Sequence, residues 1–90
     1  NTAIGNNSAY RLTNGTSNTA LGVGSLQNAL TGDNNVAVGY NAGGNITGGS
    51  NNITIGYGTA SSGATSSNEI TLGNTAITRF RIPGLSLDTS

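Results

Sequence analysis

Apolar and polar positions alternate through one short phrase, and that phrase recurs every 17 residues. The copies read Asn1-Thr2-Ala3-Ile4-Gly5, Asn18-Thr19-Ala20-Leu21-Gly22, Asn35-Val36-Ala37-Val38-Gly39, Asn52-Ile53-Thr54-Ile55-Gly56 and Glu69-Ile70-Thr71-Leu72-Gly73. Side chains alternate between faces along a strand. Taken as strands, the phrases therefore put Thr2, Thr19, Val36, Ile53 and Ile70 on the same face as Ile4, Leu21, Val38, Ile55 and Leu72. The row Ala3, Ala20, Ala37, Thr54 and Thr71 falls on the opposite face. The β-branched content favours strands. The recurring glycine and the lack of an apolar stripe at helical spacing exclude a helix. Ile4, Leu21, Val38, Ile55 and Leu72 are the expected core, with Phe80 plugging its end.

The remainder of each copy is turn chemistry. Asn14-Gly15, Thr31-Gly32-Asp33-Asn34 and Gly48-Gly49-Ser50-Asn51 supply residues that tolerate positive φ. A second, weaker strand is expected around Leu12, Ala29, Ile46 and Phe80, which share one repeat position with Gly63. The stretch 60–67 reads as an exposed loop, and 25–30 as irregular.

A fixed period means one unit stacked on itself. The fold expected is all-β: a parallel β-solenoid, or β-roll, of about five 17-residue coils over residues 1–76. Residues 77–90 then form an exit or neck segment leading to a further domain. Gly5, Gly22, Gly39, Gly56 and Gly73 mark the same corner on each coil. Stacking also brings Asn1, Asn18, Asn35 and Asn52 into a ladder, with amides expected to bond along the axis. The array begins in mid-phase at Asn1, which points to a piece of a longer or processed chain with more copies upstream.

Composition changes this picture in one respect. Only 33% of the 90 residues are hydrophobic and 4% aromatic, against a usual apolar share of about 45–50%. Three sizeable apolar side chains per coil, for example Val36, Val38 and Ile46, make a thin lining for 17 ordered residues. A homotrimer, each chain packed against two identical ones, would bury both faces of every phrase. Its axis would face either the alanine row or the aliphatic row.

Charged residues make up 7% and the net charge is zero. That leaves no electrostatic basis for nucleic-acid binding. No apolar run is long enough to insert in a membrane. Cysteine, histidine and methionine are absent, so thiolate metal sites are excluded. Asp33, Glu69 and Asp88 fall in separate regions, and no lysine-bearing phosphate loop occurs. No catalytic, metal or cofactor residue is assigned, and no enzyme activity is expected.

The phrases Asn18-Thr19-Ala20-Leu21-Gly22 and Asn35-Val36-Ala37-Val38-Gly39-Tyr40-Asn41-Ala42 resemble head repeats of trimeric autotransporter adhesins. They are even more similar to repeats of bacteriophage tail fibres. The segment from Ser67 to Gly84 resembles the exit from such arrays. The resemblance implies a structural fibre segment, a trimeric shaft or adhesive module for host attachment on a virion. The alternative is a bacterial surface adhesin or extracellular filament. An ice-binding solenoid ranks below both, because the threonine row breaks at Val36 and Ile53. Recognition of a cell-surface receptor or glycan would use loops 6–16 and 58–67. Tyr40, Tyr57, Arg79 and Arg81 are the candidate receptor contacts. The competing readings are packing for the tyrosines, which share a repeat position, and an interchain ion pair with Glu69 or Asp88 for the arginines.

Overall fold

The structure, a computed structural model, describes residues 1–89. Five short strands appear: β1 (Thr2–Ile4), β2 (Thr19–Leu21), β3 (Val36–Val38), β4 (Ile53–Ile55) and β5 (Ile70–Leu72). They form one parallel sheet in sequence order, and each pair is in register at a spacing of 17. The chain is thus a β-solenoid of about four turns, all-β among the described residues. The extents are 41 × 28 × 21 Å. Residues within a coil are numbered below as coil positions 1–17, starting from Asn1, Asn18, Asn35, Asn52 and Glu69.

Glycine at coil position 5 has two causes. Gly5, Gly22, Gly39 and Gly56 adopt φ between +120° and +129°, a region that side-chain-bearing residues rarely enter. The coils also touch there: a Cβ on Gly22 would lie 2.6 Å from the carbonyl oxygen of Gly39. Position 15 is tighter still. A Cβ on Gly15, Gly32 or Gly49 would lie 2.1–2.2 Å from the carbonyl oxygen of the residue one coil on.

The two faces of the sheet are the reverse of the expectation. Ala20, Ala37 and Thr54 point inward and are buried. Ile4, Leu21, Ile55 and Leu72, expected in the core, are 42–60% exposed, and Val38 is half-buried. Phe80 is exposed on the exit segment and plugs nothing. The interior is too narrow for the large row, because other side chains already occupy it. The buried set includes Leu26, Ala29, Ala42, Ile46 and the position-1 asparagines Asn18, Asn35 and Asn52. A Cβ on Gly43 would meet Thr54 Oγ1 at 2.9 Å, Leu26 Cδ2 at 3.0 Å and Ile46 Cδ1 at 3.3 Å, so these groups converge on one spot.

The expected second strand is absent among the described residues. Its column nonetheless lines the core: Leu12 is half-buried, and Ala29 and Ile46 are fully buried. Volume is traded between positions 9 and 12. The pairs are Ala9 with Leu12, Leu26 with Ala29, and Gly43 with Ile46. Each of the first three coils therefore places one large aliphatic in the same confined space, the kind of volume-conserving exchange that packed interiors tolerate. In the fourth coil Ala60 and Gly63 supply no large aliphatic; Thr59, in the same column as the buried Ser25 and Ala42, and Ser61 are buried there. The stretch 60–67 is mostly exposed, as expected, yet it still stacks through Thr47 N–H to Ala64 O at 2.9 Å.

Backbone polar groups that turns leave unpaired within a coil are met by the next coil. The asparagine ladder is present, but its bonds run from side chain to main chain. Asn35 Nδ2 donates to Gly49 O at 2.8 Å, and Asn35 Oδ1 accepts from the Asn52 N–H at 3.0 Å. Asn18 repeats both contacts, at 2.8 and 2.9 Å. Direct amide contact at position 1 is confined to Asn18 Nδ2 and Asn1 Oδ1, at 3.3 Å. Position 16 carries a second ladder: Asp33 Oδ1 accepts from the Thr16 N–H, Ser50 Oγ from the Asp33 N–H, and Ser67 Oγ from the Ser50 N–H, at 2.7–3.0 Å. Among the described residues no buried side-chain nitrogen or oxygen lacks a partner.

Candidate functional site

Alternation along each strand sends positions 2 and 4 outward once position 3 is inside. Parallel in-register pairing then stacks identical positions about 4.8 Å apart. The result is a continuous outer stripe of ten side chains, eight of them aliphatic: Val36, Ile53, Ile70 and the row Ile4, Leu21, Val38, Ile55, Leu72. The two others are Thr2 and Thr19. No formal charge interrupts the stripe. Scattered apolar residues on a surface need no explanation, but a contiguous uncharged sheet face does.

Past the glycine corner, position 6 adds Val23, Tyr40 and Tyr57, all exposed. Tyr40 and Tyr57 share this column as the repeat implies. Their rings stack, with centroids 5.5 Å apart and planes 12° from parallel. They remain 56% and 68% exposed. Above them Asn74 donates through Nδ2 to Tyr57 O at 2.8 Å, and its Oδ1 accepts from the Ala76 N–H at 2.8 Å. Arg79 and Arg81 lie on the exposed exit segment and make no hydrogen bond or ion pair with the tyrosines. The structure therefore does not gather the four candidate receptor contacts into one site.

The end of the array at β5 is open. A cleft of about 410 Å³ there is lined by Gly58, Ala60, Thr71, Gly73, Asn74 and Thr75. It lies where positions 7 and 9 of the fourth coil meet the first half of the next one. After Leu72 no strand occurs among the described residues, and Ile77, Phe80, Ile82, Leu85 and Leu87 are exposed.

Glu69 occupies position 1 of the last coil, where the others carry asparagine. Its N–H still bonds downward to Asn52 Oδ1 at 3.1 Å. Its carboxylate turns back to the loop, accepting from the Ser62 N–H at 2.9 Å and from the Ser62 hydroxyl. These two bonds, the hydroxyl's being the larger effect, hold the Glu69 carboxyl below the usual carboxylate range against a smaller opposing cost of desolvation. Sequence reasoning missed this tie. Ser62 sits in a serine-rich stretch, and nothing local marks it as the partner of a residue seven positions on.

Among the described residues no group of three histidine, cysteine, aspartate or glutamate side chains is placed to hold a metal ion. No helix of the described residues is long and apolar enough to cross a membrane. What the surface offers is area and regularity: an in-register apolar ladder, an aromatic pair at its margin and an open end. Comparison with protein-family models, with curated proteins and with solved structures finds no match for this chain.

Proposed function

We propose that the chain is a structural fibre segment: a length of homotrimeric shaft from a bacteriophage tail fibre, which holds a receptor-binding tip away from the particle. The observation that carries this reading is the outer ladder Ile4, Leu21, Val38, Ile55 and Leu72. It is aliphatic, in register and uncharged. Three copies meeting along it would each cover the others' stripe, and each fully covered valine, leucine or isoleucine is worth about 1.5–3 kcal/mol. The half-coil opened by β5 then forms the trimer's end. The work is mechanical: parallel hydrogen bonds run from coil to coil, and each coil templates the next. Such a shaft belongs on a virion or another extracellular surface. A bacterial adhesin or filament would use the same rod, and immunogold labelling of phage particles against bacterial cells separates the two. Where the segment also adheres, Tyr40 and Tyr57 on the margin and Arg79 and Arg81 on the exit are its candidate contacts, repeated threefold for avidity.

Sedimentation equilibrium tests the assembly. The 8.9 kDa chain is expected to run at three times its mass at micromolar concentration. Val38→Asp, which places a charge mid-stripe, is expected to yield monomers. A wild-type chain that sediments as a folded monomer throughout the micromolar range overturns the proposal.

A further inference from the structure

We propose that Ser66 is a built-in stop that fixes the length of the array. Gly15, Gly32 and Gly49 each lie beneath another coil, and a Cβ on them would come within 2.2, 2.1 and 2.1 Å of the carbonyl oxygens of Gly32, Gly49 and Ser66. Contacts under 3.0 Å are not survivable without a shift of backbone, and the opposing atom here is backbone. A coil can therefore lie on position 15 only where that residue has no side chain. Ser66 is the first position-15 residue to carry a Cβ, and it is the first with no coil above it.

Two further features agree with a stop at this level. The upward hook is missing at position 1. Asn1, Asn18, Asn35 and Asn52 each offer Oδ1 to the N–H of the next coil, whereas the Glu69 carboxylate is turned to Ser62. The residues that would continue the coil also suit it badly. Positions 9 and 17 are left-handed in the coils below, at φ +49° to +64° for Ala9, Leu26 and Gly43 and +58° to +65° for Ser17, Asn34, Asn51 and Asn68. Position 9 has already left that conformation at Ala60, and the next residues in the two columns are Ile77, whose β-branched side chain resists a return to it, and Leu85. The chain leaves the stack here instead of laying down a second half-coil. The blocked level also denies the array's end to a coil from another molecule, which protects an otherwise open strand edge from end-to-end growth.

The test is an in-register insertion. A second copy of residues 35–51 is placed between Asn68 and Glu69, once with Ser66 retained and once with Ser66→Gly. Hydrogen exchange is then read on the second half of the inserted coil and on β5, which now follows it. With glycine the added coil is expected to stack throughout, and these amides to exchange about a hundredfold more slowly than with serine. In parallel, Gly49→Ser in the original chain is expected to move the stop down one level: β5 and residues 60–68 lose protection while β1–β3 keep theirs. Equal protection of those amides in the serine and glycine forms overturns the proposal. So does full protection of β5 in Gly49→Ser. None of these outcomes depends on whether the chain is a trimer.

Discussion

Asn35 satisfies two backbone groups that nothing else in the coil reaches. Its Nδ2 takes the carbonyl of Gly49, and its Oδ1 takes the N–H of Asn52 in the coil above. The side chain is fully buried, so no water replaces either contact. Removing it in Asn35→Ala strands one donor and one acceptor, each costing about 1–3 kcal/mol when buried and unpaired. Together with the void, that gives an expected loss of about 2–5 kcal/mol, a large part of the 5–15 kcal/mol typical of a whole domain. Urea denaturation measures it. Asn1→Ala is the control: Asn1 is exposed at the end of the ladder, and its loss is expected to cost well under half as much. The ladder itself was legible, because one residue type recurs at one phase. The direction of its bonds was not. An asparagine bonds equally well to its own kind or to main chain, and only the placement of Gly32 and Gly49 beside it decides.

Each coil is one three-residue strand joined by a long irregular turn, and the turn, not the strand, fills the interior. Period-two alternation fixed that positions 2 and 4 oppose position 3. It carried no information on which set faces in, since that depends on how much room the rest of the coil leaves. Leu26 shows why the turn's share was hidden. It sits at φ +49°, a region that costs a side-chain-bearing residue roughly 1–2 kcal/mol, so its place in the core does not follow from any regular element. The compensating pairs at positions 9 and 12 were present in the residues all along, but they gain meaning only once both positions are known to point inward. At the end of the array, the Glu69–Ser62 tie makes one turn sensitive to acid. The folded chain holds that carboxyl below its usual value. Its contribution is therefore complete above the unfolded value of about 4.3 and is lost as pH falls through the lowered folded one. Exchange at the Ser62 amide is expected to quicken as pH falls through the lowered folded value, after correction for the intrinsic rate, while Ala29 and Ile46 change little. Glu69→Gln is expected to abolish the difference. A Ser62 amide whose protection follows the same pH dependence in the wild type and in Glu69→Gln rules the tie out as a pH-dependent contact.

At the scale of the molecule, the chain is a short rod whose strands turn their small side chains inward and their large aliphatic ones outward. The period of 17, the parallel register and the alignment of equivalent glycines all follow from the repeat. The partner of the outer stripe does not, because a single chain does not contain the surface that covers it. The proposed trimer makes a thermodynamic prediction that a self-sufficient monomer does not share. When unfolding releases three chains, melting depends on protein concentration by mass action. A tenfold rise in concentration adds about 0.9 kcal/mol per chain, two-thirds of the 1.4 kcal/mol that corresponds to a factor of ten. In a chain of this length 1 kcal/mol moves Tm by about 4–8 °C. Calorimetry at 10 and 100 µM total chain is therefore expected to show Tm rising by roughly 4–7 °C. Val38→Asp, which interrupts the stripe at its centre, is expected to flatten that dependence as well as lower Tm. A wild-type Tm that stays constant across this range would mean that the aliphatic ladder is left in water, and the stripe would then have no part in holding the rod together.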